Sequence, residues 1–264
     1  MQAGQASQDA QPPGRLAVGV ATFDDLKAAI RAGVRDVVAR PGLSLFFGLV
    51  YALLGALLIA GLVVFDQIWV AISVAVGFPL VAPFLAVGLY EMSRRLERGE
   101  AFSASDIFLV IFRQQRREFR WMSFVVLFIF WIWAYQVRLV LALTIHYKHF
   151  RSMEDLVVGV FTTSGGALFL LIGTLIGGFL ATVLYTVTVI AMPLLLDRNV
   201  DFVTAMITSV RTVLASPLVM LVWGAAVGAL TLLAIAPALV GVIVVFPFLG
   251  HTTWHLYQRL ISES

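Results

Sequence analysis

Charge is what this sequence has least of. Asp, Glu, Lys and Arg make up only 12% of the 264 residues, while 61% are hydrophobic. A soluble globule carries roughly 25% charged and about 45–50% apolar residues. Half the usual charge cannot cover a water-facing surface of this size, so the composition excludes a soluble domain. Cysteine is absent, which excludes a disulfide framework, a thiolate metal site and a redox thiol. The formal charge of +3 is too small for a nucleic-acid footprint. No nucleic-acid partner is expected, and membrane lipids are.

What the sequence has instead is long apolar runs, at about 20 residues per membrane-crossing helix. Residues 1–20 are polar and rich in Gln, Ala, Pro and Gly, the composition of a disordered tail. From Pro41 to Tyr90 the only charge is Asp66, which implies two helices and a tight turn. A third run covers Trp121 to about Ile145, with Trp131, Trp133, Tyr135 and Tyr147 as aromatic-belt residues. The uncharged stretch Leu156–Leu196 is too long for one upright helix. Its Thr162–Gly166 interruption suggests a surface segment followed by a span over about 167–195. Thr212–Gln258 breaks near Ala236-Pro237 into two more spans. The expected fold is an all-α polytopic membrane protein of about six transmembrane helices, with residues 21–264 forming one membrane domain.

Basic residues orient this arrangement. Fifteen of the 18 Lys and Arg fall on one side: Arg15, Lys27, Arg31, Arg35 and Arg40, then Arg94, Arg95, Arg98, Arg113, Arg116, Arg117 and Arg120, then Arg198, Arg211 and Arg259. The positive-inside rule then puts both termini in the cytoplasm of a bacterium, with the chain in its inner membrane. The seven arginines between spans 2 and 3 attract anionic headgroups, at roughly 1 kcal/mol each near the surface. They also offer a docking face for a partner subunit.

An internal repeat is visible. Each pair of spans follows a stretch with an acid at its start and an arginine ten residues on: Asp25 and Arg35, Asp106 and Arg116, Asp201 and Arg211. Acid at a helix N-terminus and base at its C-terminus both complement the dipole. Thr22 and Ser103 stand three residues before the acid as N-caps, whereas Arg198 holds that place in the third copy and requires a different cap. The first and third stretches carry apolar stripes, Leu26, Ile30, Val34, Val37 and Val38, and Phe202, Met206, Val210, Val213 and Leu214. Pro83, Pro193 and Pro247 mark the second span of each pair. The expectation is three copies, about 22–100, 103–198 and 199–262, each an interfacial amphipathic helix plus a transmembrane hairpin.

The block from Leu80-Val81-Ala82-Pro83-Phe84-Leu85 through Glu91-Met92-Ser93-Arg94-Arg95-Leu96-Glu97-Arg98-Gly99-Glu100, with Met192-Pro193-Leu194-Leu195-Leu196-Asp197-Arg198, resembles a bacterial integral-membrane family of unknown function. Some members of that family are catalogued as candidate cytochrome c oxidase subunits. The resemblance implies an inner-membrane protein of about six spans and supplies no catalytic residues. The chain is about half the length of a haem–copper catalytic subunit and has too few histidines to be one.

Candidate chemistry is thin. His251 and His255 stand four apart on the last span, one helical turn, and the repeat register sets Glu91 against His255. Glu91, His251 and His255 are the one conceivable metal or haem set. The plainer reading makes Trp254, His255, Tyr257 and Arg259 an interfacial girdle. His146 and His149 belong to the opposite side and read as belt residues. No cofactor and no catalytic residue is expected. The sequence favours a non-catalytic inner-membrane accessory or assembly protein, of the kind that associates with a respiratory complex. The alternative is a transporter or lipid-handling protein, which requires a polar cavity between the repeats.

Overall fold

The computed structural model describes residues 16–64, 85–113, 117–145, 153–237 and 239–263. Leu16–Val18, grouped by composition with the polar tail, form strand β1, which pairs antiparallel with β2, Ile261–Glu263. Both ends of the described chain therefore lie on one side. The helices described between them are α1 Phe23–Ala39, α2 Pro41–Val64, α3 over 85–97, α4 Ala104–Arg113, α5 Arg117–Thr144 and α6 Met153–Thr162. Then come α7 Ser164–Thr188, α8 Ala191–Asp197, α9 Phe202–Ala215, α10 Pro217–Ile235 and α11 Val242–Leu260. The chain is an all-α integral membrane protein.

Three of these stretches are long and apolar enough to cross a membrane, Glu118–Thr144, Ser164–Asp197 and Pro217–Ile235. The bent pair α1–α2 raises the number among the described residues to four. The start of the second expected span, with Asp66 and Pro83, lies outside the described residues. The expected break before α7 is there: Thr163 caps α7 by accepting from the Gly166 N–H at 3.0 Å.

Helix ends follow the acids of the repeat marks. Thr22 and Asp25 form a reciprocal capping box, with Asp25 N–H donating to Thr22 Oγ1 at 3.1 Å and Thr22 N–H to Asp25 Oδ2 at 3.0 Å. Ser103 N–H donates to Asp106 Oδ2 at 2.8 Å in the same manner. Asp201 is itself the cap of α9, accepting from Thr204 N–H at 2.9 Å. The third stretch thus begins three residues later relative to its acid.

The two long junctions match in backbone geometry. Arg40 before Pro41 has φ −137° and ψ 61°, and Ser216 before Pro217 has φ −142° and ψ 60°. A residue preceding proline is driven out of the helical region by the Pro Cδ, so each helix must stop and restart. At Arg40 the restart turns the chain through 100°.

Inside a helix a proline leaves the carbonyl four residues back without its N–H donor. In α11, Pro247 frees the Ile243 carbonyl. That carbonyl packs on Gly48 of α2, where an added Cβ would lie 2.0 Å from Ile243 O. Gly33 of α1 likewise leaves room for Thr252, whose backbone N would lie 2.8 Å from such a Cβ. Helix α11 is therefore seated in one glycine notch on each of α1 and α2. Gly48→Ala is expected to cost about 1–3 kcal/mol by overpacking, read as a lower unfolding midpoint in detergent. Gly42→Ala, which meets nothing within 4 Å, is the control and is expected to be neutral or stabilising. Equal effects from the two would contradict the close seating.

At Pro193 the break falls between α7 and α8. The Ile190 N–H donates to Ser209 Oγ at 3.1 Å, and Ser209 donates onward to the Thr186 carbonyl at 2.7 Å. A side chain of α9 is inserted into the helical ladder, a recognised cause of a kink.

The main core gathers on the side that carries the termini. Trp223, Trp254, Tyr257, Phe119, Met122, Ile190, Leu194 and Met220 are its largest fully buried side chains. The long spans point the other way: none of the apolar window of Ser164–Asp197 is buried by protein, and only 11% of that of Glu118–Thr144.

Candidate functional site

The polar residues that could carry chemistry converge on the second half of α11. His251, Thr252 and His255 are buried there beside Trp254 and Tyr257. The neighbours are α1, which reaches α11 through the line Leu26, Ala29, Gly33 and Asp36, together with α2 and α3.

His251 is bonded at both ring nitrogens. Nε2 lies 3.1 Å from Ser44 Oγ of α2, and Nδ1 lies 2.7 Å from Ser93 Oγ of α3. A neutral imidazole satisfies two hydroxyls by donating to one and accepting from the other.

His255 is held more tightly. Its Nε2 is 2.7 Å from Asp36 Oδ2, and its Nδ1 is 3.0 Å from Glu97 Oε1. The second Glu97 oxygen accepts from Trp254 Nε1 at 2.9 Å. Two carboxylates facing two ring nitrogens are satisfied by an imidazolium donating from both. Burial pushes the Glu97 carboxyl up, but its bonds from His255 and Trp254 outweigh burial and hold it below the ordinary carboxylate range. The unit is a carboxylate–imidazolium–carboxylate triad that ties α1, α3 and α11 together.

Glu91 does not join the histidines. It is fully buried on α3 and paired within its own helix, with Arg94 three residues on and with Arg95 Nε at 2.7 Å. Among the described residues, no group of three or more His, Cys, Asp or Glu is placed to hold a metal ion. The Glu91–His251–His255 set is thus divided among three separate polar contacts. The girdle reading is corrected for three of its four members, since Arg259 remains exposed. Trp254 and His255 are 0% and 4% exposed, and Tyr257 donates to Asp197 Oδ2 at 2.8 Å, so these side chains face protein.

The arginines expected as a docking face are not equivalent. Arg94 and Arg95 neutralise Glu91 and are largely enclosed, and Arg98 lies 3.9 Å from Glu100. Arg120 is exposed on α5. Arg113 closes α4, Arg117 opens α5, and Arg116 lies outside the described residues, as do His146 and His149. Of the repeat marks, Arg35 is exposed and 4.0 Å from Asp36, Asp25 approaches Arg259 at 3.6 Å, and Arg211 is exposed on α9.

Sequence reasoning missed Asp36, Ser44, Ser93 and Glu97. A signal for Asp36 was available, since it continues the spacing Leu26, Ala29 and Gly33 on one face of α1. The apolar stripe drawn through Val34 and Val38 hid it, and both valines are exposed.

Residues 70–197, a little under half of the chain, match the family described as predicted integral membrane protein (DUF2189). No curated protein and no solved structure matches the chain. The matched stretch holds Glu91, Ser93 and Glu97 but ends before His251 and His255. Over that stretch the chain is similar to a family of integral membrane proteins of unknown function.

Proposed function

We propose that this protein is a non-catalytic accessory or assembly subunit of the bacterial inner membrane, working beside a larger complex such as a respiratory one. In this reading its termini are cytoplasmic and it is built from three copies of an interfacial helix plus a transmembrane hairpin. The twin backbone geometry at Arg40-Pro41 and Ser216-Pro217 supports the repetition.

One observation carries the non-catalytic reading. Both ring nitrogens of both buried histidines have partners from the chain itself. Haem or metal ligation needs a ring nitrogen lone pair directed at the ion, and here each nitrogen already serves a serine or a carboxylate. The polar groups of α11 hold helices to one another. The outward apolar faces of α5 and α7 offer a surface suited to a membrane partner.

The test is mass spectrometry of what co-purifies with the tagged protein, expressed at native level and extracted in mild detergent. Respiratory or other membrane subunits in fixed stoichiometry are the expected result. A protein that purifies alone, from cells in which its candidate partners are abundant, contradicts the accessory reading. The polar pocket beside His255 is what favours lipid handling as a second reading.

A further inference from the structure

We propose that the pocket between α1 and the end of α11 binds a phosphate-bearing anion. The pocket has a volume of about 560 Å³ and is lined by Arg31, Arg35, Glu97, His255, Gln258 and Arg259, with Ala28 and Ala32 as its floor on α1. Three guanidinium groups therefore share one cavity with an imidazolium. Glu97 is the carboxylate among these lining residues, and both its oxygens already accept, from His255 and Trp254.

The remaining charge is unbalanced. Arg31 has no ion pair among the described residues. Arg35 stands 4.0 Å from Asp36 with its side chain 71% exposed, and Asp36 is committed to His255 at 2.7 Å. Arg259 has Asp25 at 3.6 Å. Like charges brought together repel unless an anion sits between them, and planar guanidinium forks match the oxygens of phosphate in pairs. The spacing comes from the fold: Arg31 and Arg35 are four apart and so share one face of α1. The Gly33 notch draws that helix against α11, which delivers Arg259 and Gln258 to the same cavity.

Position narrows the source of the anion to two. Helix α1 stands at 100° to α2, so when α2 crosses the membrane α1 lies along its surface, at the level of phosphodiester headgroups. The pocket is equally within reach of a free phosphate in the water phase. A second pocket, at the α1–α2 bend, lacks this convergence. Its one lining cation, Arg40, is stacked over Phe102 at 5.1 Å.

The experiment uses the full-length protein in detergent, titrated with inorganic phosphate at constant ionic strength and followed by its unfolding midpoint. In parallel, native mass spectrometry reads lipid retained after extraction from vesicles of phosphatidylglycerol and phosphatidylcholine. Arg31→Gln with Arg35→Gln removes two exposed cations without disturbing a close pair, and Arg98→Gln controls for surface charge. A saturable rise with phosphate that needs at least tenfold more phosphate in the double variant supports the site and a free anion. No phosphate response, but phosphatidylglycerol retained by wild type and lost from the double variant, supports the site and a lipid headgroup. No response of either kind, equal responses in wild type and double variant, or an equal loss in Arg98→Gln overturns the proposal.

Discussion

Replacing Asp36 with alanine is expected to cost about 3–5 kcal/mol of stability, the scale seen when one partner of a buried ion pair is removed. The cost arises from what is left behind. Without Asp36, the buried Nε2 of His255 loses its acceptor at 2.7 Å, and the charge on the ring keeps only Glu97 as counterion. The ring can shed its proton, but a neutral imidazole then holds an unbonded nitrogen in a 4% exposed site. Asp36→Asn, which keeps a hydrogen-bond acceptor and removes the charge, should cost less. A third variant separates the charge term from packing. Replacing Asp36 and His255 together with apolar residues of similar volume should recover much of the loss. Unfolding in detergent, by heat or by SDS titration, measures all three. An Asp36→Ala protein as stable as wild type would mean that the triad does not hold α1 to α11.

The Ser209→Ala variant is expected to lose roughly 1–3 kcal/mol, because it leaves the buried Ile190 N–H without its acceptor and frees the Thr186 carbonyl. The hydroxyl serves both at once, accepting from Ile190 N–H and donating to the Thr186 carbonyl. The Ile190 N–H has no water at hand, because Ser209 and Ile190 are both fully buried. Thr188→Ala is the matched control. Its hydroxyl bonds only within its own helix, to the Leu184 carbonyl at 2.7 Å, so its loss should be small. If the two variants behave alike, the helical ladder closes across the break without the serine, and the break between α7 and α8 has another cause.

These two sites show what the sequence could and could not convey. The membrane class followed from the shortage of charge, which no packing detail can reverse. The helix junctions were equally accessible, because Pro41, Pro217 and the Thr162–Gly166 interruption act on the local backbone. Thr22 and Ser103 could be named as caps for the same reason: their partners lie three residues away. The polar seam depends on contacts between residues far apart in the chain. His255 meets Asp36 across 219 positions, and His251 meets Ser44 across 207. Periodicity reports which face of a helix is apolar, and in a membrane both lipid and protein satisfy an apolar face. On α1 this ambiguity selected the large residues Val34 and Val38. The face that meets protein is marked instead by the small residues Ala29 and Gly33, with Asp36 continuing the line.

The same ambiguity explains Trp254 and Tyr257. Aromatic residues near the end of an apolar run commonly mark the membrane interface. Here their polar atoms find Glu97 and Asp197, so they close the protein core instead. Glu91 was named from the sequence only as the repeat counterpart of His255, but its partners are the adjacent arginines of its own helix. That choice removes Arg94 and Arg95 from the basic face and leaves Arg31, Arg35 and Arg259 as the cations that share a cavity.

The structural role of the two histidines of α11 rests on their occupied ring nitrogens. It is tested most directly by the absorbance spectrum and metal content of the purified protein, measured for wild type, His251→Asn and His255→Gln beside their unfolding midpoints. No Soret band and no stoichiometric metal is expected in any of the three, with lower midpoints in both variants. A haem band, or one metal ion per chain, that is present in wild type and lost with either histidine would contradict it.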